Sequence, residues 1–207
     1  MISSNPDPVS INDRSHLEEL KSLYQNISWE NEEMRLELLF RLANLFGDWT
    51  GTLPNLKEIF QPNKIDQLLL DTVNSMIADT RNYEELYRFI DFVVRTGYKD
   101  EPIVGIDDKP LSRRTTEVHR LAYVKLVSNV FHNLFGVLFE ICDKCHVNYV
   151  DGEFSITHFH AACRLGCEDV VVKFLELGQD PNCLVPKVDI SPLHMALVGN
   201  CGKRTIE

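Results

Sequence analysis

Two C-terminal segments of this chain repeat one six-residue pattern at a fixed distance. Residues 157–162 read T-H-F-H-A-A, and residues 191–196, which lie 34 positions later, read S-P-L-H-M-A. Self-similarity at this kind of spacing is the signature of repeat proteins, in which a single unit is too small to bury its apolar face and neighbouring units must stack. Since no segment alternates polar and apolar residues for long enough to demand a sheet, the pattern predicts stacked helical units.

Several residues in and between the two segments are of types that begin or end helices. Thr157 and Ser191 can accept a hydrogen bond from a backbone N–H that lacks a partner in the first helical turn. Pro192 fits the first helical position because its missing N–H would have no partner there. Gly178 can take the positive φ that ends a helix. These residues predict helix starts at Thr157 and Ser191 and a helix end at Gly178.

The pattern resembles the T-P-L-H-x-A signature of the ankyrin-repeat family, with Ser191 in place of threonine. In the better-matched copy, Gly166 lies where that family turns between its two helices. Residues 171–182 resemble the family's second helix and its G-A-D-x-N turn, which ends here at Asn182. The resemblance implies a helical solenoid that presents an extended surface for recognising other proteins.

A more degenerate copy precedes these two. Residues 116–122 fit the same pattern with Glu117 at the proline position, and Asn148 lies 34 positions before Asn182. The signature histidines of this copy and the next are 41 positions apart, which predicts a longer first helix or a longer turn around residues 128–133. The residues at signature positions are Thr116, His119, Thr157, His160, Gly166, Gly178, Asn182, Ser191, Pro192 and His194.

We therefore expect an all-α chain in which an ankyrin-type helical solenoid follows an N-terminal helical region. The expected regions are a tail at 1–14, the N-terminal helices at 15–105 and the repeats at 106–207. The repeats divide into a degenerate copy at 106–149, a good match at 150–183 and a copy at 184–207 that stops inside its second helix. Residues 63–97 offer a further degenerate copy that lacks the signature.

Capping residues set the expected helix boundaries of the N-terminal region. Short polar side chains start helices by accepting unpartnered N–H groups. The expected starts are Ser15, Ser28, Asn63 and Asn82. Gly47 is expected to end the second helix in a left-handed conformation, and Gly97 to end the fourth. Residues 48–62 contain glycine and proline and predict an irregular connection with one turn of helix.

The charge and hydropathy of the chain limit its partners and location. A formal net charge of -10 argues against nucleic acid and anionic membranes, since both attract basic surfaces. The most apolar window, residues 121–141, is interrupted by Lys125, His132 and Glu140, which predicts that it does not span a membrane. The N-terminus lacks the features of a secretory signal. We expect a cytoplasmic protein, with the nucleus as an alternative, whose cysteines are reduced.

One short motif offers a different chemistry. Cys142, Cys145 and His146 have the C-x-x-C-H spacing of covalent haem attachment, and could also contribute to a metal site. The motif is short, and it lies where the repeat predicts the end of a helix. Haem or metal binding through these residues is therefore a minor alternative, because such a motif requires its structural context.

A zinc site built from the remaining cysteines and nearby histidines is a further alternative. Its candidates are Cys163, Cys167, Cys183, Cys201, His158, His160 and His194. The repeat explains them more simply, because free cysteines usually pack as small apolar residues. The sequence contains no P-loop, nucleophile elbow or dinucleotide fingerprint. We therefore expect a protein that is not an enzyme and carries no cofactor.

Protein binding is the function that the resemblance implies. Contacts with a partner are expected at the tips of the inter-repeat turns and on the first-helix surface. The residues predicted to make them are Tyr149, Asp151, Glu153, Phe154, Leu184, Lys187 and Asp189. The acidic charge favours a partner with a basic patch. The alternative is that the chain is part of a larger ankyrin-containing protein, such as a cytoskeletal adaptor or the cytoplasmic region of a channel.

Overall fold

The described part of the chain is mostly helical. The structure is a computed structural model that describes residues 11–106, 110–124, 131–185 and 189–199. Within these ranges the backbone forms nine α-helices and two short 3-10 turns, and its β pairing consists of isolated bridges. The fold class is thus all-α, as predicted. No helix in these ranges is both long enough and apolar enough to cross a bilayer.

The chain divides into two compact units, of which the first comprises the described residues of 1–72 and 79–98. Its helices are α1 (Ile11–Gln25), α2 (Glu32–Gly47), most of α3 (Pro62–Ala78) and α4 (Tyr83–Arg95), with 3-10 turns at Leu56–Glu58 and Thr80–Asn82. Helices α2 and α4 pack closely, and the rings of Phe46 and Phe92 stack at 3.7 Å between centroids. Fully buried Leu39 and Leu42 line the same core.

Several predicted helix boundaries in this unit were wrong. Helix α1 begins at Ile11, one turn before Ser15, so Ser15 lies inside the helix. Helix α2 begins after Asn31 and not at Ser28, because the side-chain oxygen of Asn31 accepts the N–H of Met34. Asparagine caps a helix as well as serine does, and the sequence alone does not rank the two sites.

The helix ends differ in whether they need a glycine. Gly47 is the last residue of α2 and is not left-handed, because the N–H of Asp48 already bonds the carbonyls of Asn44 and Phe46. Gly97, by contrast, has a φ of 74° and follows Thr96, the residue that caps the end of α4. The predicted cap Asn82 precedes α4, although its side chain makes no capping hydrogen bond.

The second unit comprises the described residues of 73–78 and 99–207. Its own helices are α5 (Glu117–Tyr123), α6 (His132–Ile141), α7 (His158–Leu165), α8 (Glu168–Glu176) and α9 (Pro192–Val198). Helix α7 contacts α5 and α9, while α5 packs against α6 and α7 against α8. The first helix of the degenerate copy is therefore not longer, since α5 ends at Tyr123. The alternative, a longer turn around residues 128–133, falls partly on residues 125–130, which lie outside the described ranges.

The connections that follow α6 and α8 share a positive φ and a backbone hydrogen bond at positions 34 residues apart. Ser155 has a φ of 64°, and Asp189 has a φ of 48°. In the first connection the N–H of Asp151 donates to the carbonyl of Ile156 at 2.8 Å, and in the second the N–H of Val185 donates to the carbonyl of Ile190 at 2.9 Å. The period seen in the sequence is thus also found in the backbone at these positions.

Candidate functional site

Three helices of the second unit start with the same reciprocal hydrogen bonds. Before α7, the hydroxyl of Thr157 accepts the N–H of His160 at 3.3 Å, while the N–H of Thr157 donates to the His160 ring at 3.4 Å. Ser191 and His194 repeat both bonds at 3.2 Å before α9. Thr116 forms the same capping box with its histidine before α5. The imidazole here does what a Glu side chain does in the usual capping box.

The histidine of the first capping box, His119, also makes a hydrogen bond to the connection that precedes α7. The N–H of Thr116 donates to Nδ1 of His119 at 3.1 Å, so Nε2 of that ring carries the proton and donates to the carbonyl of Tyr149 at 3.2 Å. The hydroxyl of Thr116 lies 2.7 Å from Nε2 of His158. Burial lowers the pKa of His119 to about 4 and that of His158 well below its ordinary value. Both rings are therefore neutral at physiological pH.

A buried carboxylate holds the turn that precedes α7. Asp151 accepts hydrogen bonds from the hydroxyl of Thr115 at 2.6 Å and of Tyr123 at 2.9 Å, and from the N–H groups of Glu153 at 3.0 Å and Phe154 at 2.7 Å. Burial would raise the pKa of Asp151, but these hydrogen bonds outweigh it and lower that pKa to about 2. Asp151 is thus an ionised acceptor that shapes the turn from within.

The residues at the apex of this turn are exposed. Phe154 is 42% exposed, and its ring lies 4.7 Å from that of Tyr123 between centroids. Glu153 lies 3.8 Å from Arg120 in an exposed ion pair. We use the name tip surface for the exposed residues of the two turns together with two partly exposed residues of α5. The turn residues are Glu153, Phe154, Leu184 and Asp189, and the α5 residues are Arg120 and Tyr123.

Two of the predicted contact residues do not belong to this surface. Tyr149 and Asp151 are each 1% exposed, so their side chains are inaccessible to a partner. Tyr149 lies beneath the guanidinium of Arg114, which is 5.3 Å from the ring centroid. Leu184 is 55% exposed and Asp189 is also exposed, so both side chains are accessible. Lys187 lies outside the described residues.

The other signature residues occupy turns and helix ends. Gly166 ends α7 with a φ of 68°, and its N–H donates to two carbonyls of that helix. Gly178 follows α8 with a φ of 78°. The N–H of Asn182 donates to the carboxylate of Asp180 at 2.9 Å. Pro192 is the first residue of α9. Each of these residues thus has a role in the local backbone.

A buried polar network lies beside the first capping box, and it was not predicted from the sequence. Asp100 accepts a hydrogen bond from Arg114 at 2.6 Å and is 1% exposed. Glu117, at the proline position of the pattern, accepts a hydrogen bond from the thiol of Cys142 at 3.0 Å. Burial raises the pKa of both Glu117 and Cys142. A glutamate where the pattern has proline was the signal that could have indicated this network.

The side chains of the C-x-x-C-H motif differ in their environments. Cys142 and Cys145 are buried, and burial raises the pKa of both thiols, which disfavours the thiolate, the form that binds metals and attacks electrophiles. His146 is exposed. Among the described residues, no group of three or more His, Cys, Asp or Glu side chains could hold a metal ion. Cys201, a candidate for the zinc alternative, lies outside these residues.

Comparison of the chain with protein-family models, with curated proteins and with solved structures gave no match. Inferences about function therefore rest on the geometry of the capping boxes, the turns and the exposed surface. Two features of that geometry are relevant. The first turn is fixed by hydrogen bonds to the buried carboxylate of Asp151, and Phe154 and Leu184 expose apolar side chains in the first and the second turn.

Proposed function

We propose that this chain is a non-catalytic protein-binding module of the ankyrin type, which contacts another protein through its tip surface. The observation that carries the proposal is the recurrence of one capping box at Thr116, Thr157 and Ser191, together with turns that share a positive φ and a backbone hydrogen bond 34 residues apart. Helices α5, α7 and α9 pack in series, which is the arrangement that stacked repeats require.

The first turn supports a binding role because hydrogen bonds fix its backbone and its apex is accessible. Asp151 fixes the N–H groups at the apex from within, so Phe154 is presented without further ordering of the backbone. Preorganised apolar side chains bind with a smaller entropic cost, and aromatic residues are frequent hot spots of protein interfaces. Leu184 presents a second exposed apolar side chain in the next turn.

The states of the buried histidines and cysteines favour a binding function over a catalytic one. The buried rings of His119 and His158 are neutral and are engaged in bonds that hold the repeats together. The thiols of Cys142 and Cys145 favour the protonated form, which is a poor nucleophile. None of the described cysteines forms a disulfide, which is compatible with the proposed location in the cytoplasm or the nucleus.

Affinity capture with matched variants tests this proposal. The full chain and the variants Phe154→Asp, Leu184→Asp and Val172→Asp are used to capture proteins from the same extract, with quantification by mass spectrometry. Val172 is 50% exposed on α8, outside the tip surface, so its variant controls for the loss of an exposed apolar side chain. The proposal predicts proteins that the wild type and Val172→Asp capture equally and that both tip variants lose. Equal capture by all four chains, or equal loss in all three variants, would contradict it.

A further inference from the structure

A groove of about 510 Å³ lies in the second unit, between the end of α6 and the start of α8. Its floor is apolar, with the nearly buried rings of Phe135 and Phe139 on the α6 side and Leu165 and Val170 on the other. The volume falls within the range of about 300–1,000 Å³ that is typical of ligand-binding clefts. None of the tip-surface residues lines this groove, so it is a separate surface.

Carboxylates outnumber ammonium groups along the groove. The carboxylates are those of Glu140, Asp143, Glu168 and Asp169, and the ammonium groups are those of Lys99 and Lys173. Lys99 is already engaged, since its Nζ donates to the carbonyl of Glu140 at 2.6 Å. Asp143 is paired with Lys144 at 3.0 Å, whereas no ion pair among the described residues engages the other three carboxylates. The groove therefore has a net negative rim.

Helix stability accounts for only part of this acidic rim. Glu168 and Asp169 lie in the first turn of α8, where the helix dipole favours negative charge. Glu140 and Asp143 lie at a C-terminal end, in the last turn of α6 and just after it, where the helix dipole disfavours negative charge. The last turn of α6 contains no basic residue. The carboxylates of Glu140 and Asp143 thus bring no benefit to their own helix.

A glycine in the middle of α6 opens the groove. Gly136 is exposed and helical, and a Cβ at this position would meet no atom within 4 Å. Glycine inside a helix destabilises it by about 0.5–1 kcal/mol relative to alanine, and neither packing nor a positive φ requires it here. A glycine at the wall of a groove does, however, let another chain approach the backbone closely.

We propose that this groove binds a short segment of a partner protein that contains arginine or lysine next to apolar residues. The cationic head of such a side chain meets the carboxylates of Glu140, Glu168 and Asp169. Its aliphatic stem, with the neighbouring apolar residues, covers the rings of Phe135 and Phe139, which is how long basic side chains usually divide between water and an apolar surface. The complementary charge of the groove and the segment selects this occupant over an acidic one.

A fluorescein-labelled hexapeptide of alternating arginine and leucine tests the proposal by fluorescence anisotropy. Matched peptides replace arginine with glutamate, or leucine with glycine. The protein variants are Glu140→Gln/Glu168→Gln, which neutralises the rim, and Gly136→Trp, which fills the groove and leaves the charge unchanged. Glu18→Gln/Glu19→Gln makes the same change of charge at two exposed residues of α1 and serves as the control. Far-UV circular dichroism verifies that each variant is folded.

We expect the arginine–leucine peptide to bind saturably, and the glutamate and glycine peptides not to bind. Neutralising the rim should weaken that binding about three- to thirty-fold, as expected for two exposed ion pairs, and Gly136→Trp should abolish it. The control variant should bind as the wild type does.

Binding that weakens equally in Glu18→Gln/Glu19→Gln would show attraction to net charge only and would overturn the proposal. Retained affinity in a folded Gly136→Trp variant, or no binding by the wild type, would also overturn it. Because Phe154 and Leu184 are unchanged in every variant, this outcome is independent of the tip surface.

Discussion

Replacing Asp151 by alanine should destabilise the second unit, although the sequence predicted this residue to be a surface contact. The carboxylate accepts four hydrogen bonds between 2.6 and 3.0 Å, from two hydroxyls and two backbone N–H groups. A hydrogen bond to a charged group contributes about 1.5–3 kcal/mol, but such bonds are not additive within one network. Water can also reach the donors at the exposed apex once the carboxylate is removed.

We therefore expect Asp151→Ala to lower the free energy of unfolding by about 2–4 kcal/mol. With a urea dependence of about 2 kcal/mol per molar, this corresponds to a decrease of about 1–2 M in the unfolding midpoint. Asp151→Asn should lose less, because the carboxamide keeps one oxygen acceptor. Far-UV circular dichroism should be the probe, since Trp29 and Trp49 both lie in the first unit and their fluorescence reports on that unit.

Glu153→Ala is the matched control for this change. Glu153 is exposed, and its ion pair with Arg120 spans 3.8 Å, so its removal should change the free energy of unfolding by less than about 0.5 kcal/mol. The reasoning would be refuted if Asp151→Ala unfolded at the same urea concentration as Glu153→Ala. That result would mean that solvent satisfies the four donors as well as the carboxylate does.

Three further predictions concern buried groups and the α6 glycine. Burial lowers the pKa of His119 to about 4, against 6.5 for an ordinary histidine, and also lowers the pKa of His158. The unfolded chain therefore binds protons first, and the urea midpoint should fall as the pH drops below about 6.5 towards about 4, with a smaller fall in His119→Gln; a flat profile would contradict this. Gly136→Ala should raise the free energy of unfolding by about 0.5–1 kcal/mol in a urea titration, because the added Cβ meets no neighbour and helix propensity improves; a decrease would indicate a packing role for the glycine. The thiol of Cys142, which is 3% exposed and has a raised pKa, should react with iodoacetamide far more slowly in the folded protein than in urea, as followed by peptide mass spectrometry; equal rates would show that this thiol is accessible.

The parts of the second unit that were predictable from the sequence depend on local backbone chemistry. A cap such as Thr157 or Ser191 acts on N–H groups within three residues of itself. A glycine such as Gly178 is required because the backbone at its own position has a positive φ. Such requirements appear directly in the sequence and recur with the repeat. The cap of α2 was misplaced for the same reason, since Ser28 and Asn31 satisfy the local rule equally well.

The direction that a turn residue faces was not predictable in this way. Asp151 was assigned to the surface because it lies in an inter-repeat turn, yet the hydroxyls that make its burial favourable belong to Thr115 and Tyr123, about one repeat earlier in the chain. The period of 34 contained a usable signal. Asp151 aligns with Val185, an apolar residue that is 1% exposed, which indicates that this turn position faces inward.

Site-specific photocrosslinking tests the central claim of a protein-binding tip surface most directly. A benzophenone amino acid is placed at Phe154 of the full chain and, in a separate protein, at Val172, and both are irradiated in the same extract. The proposed function predicts discrete crosslinked products from position 154 that are absent at position 172, and that unlabelled wild-type protein competes away. Products that are identical at the two positions, or that persist in the presence of competitor, would contradict the claim that Phe154 marks the binding surface.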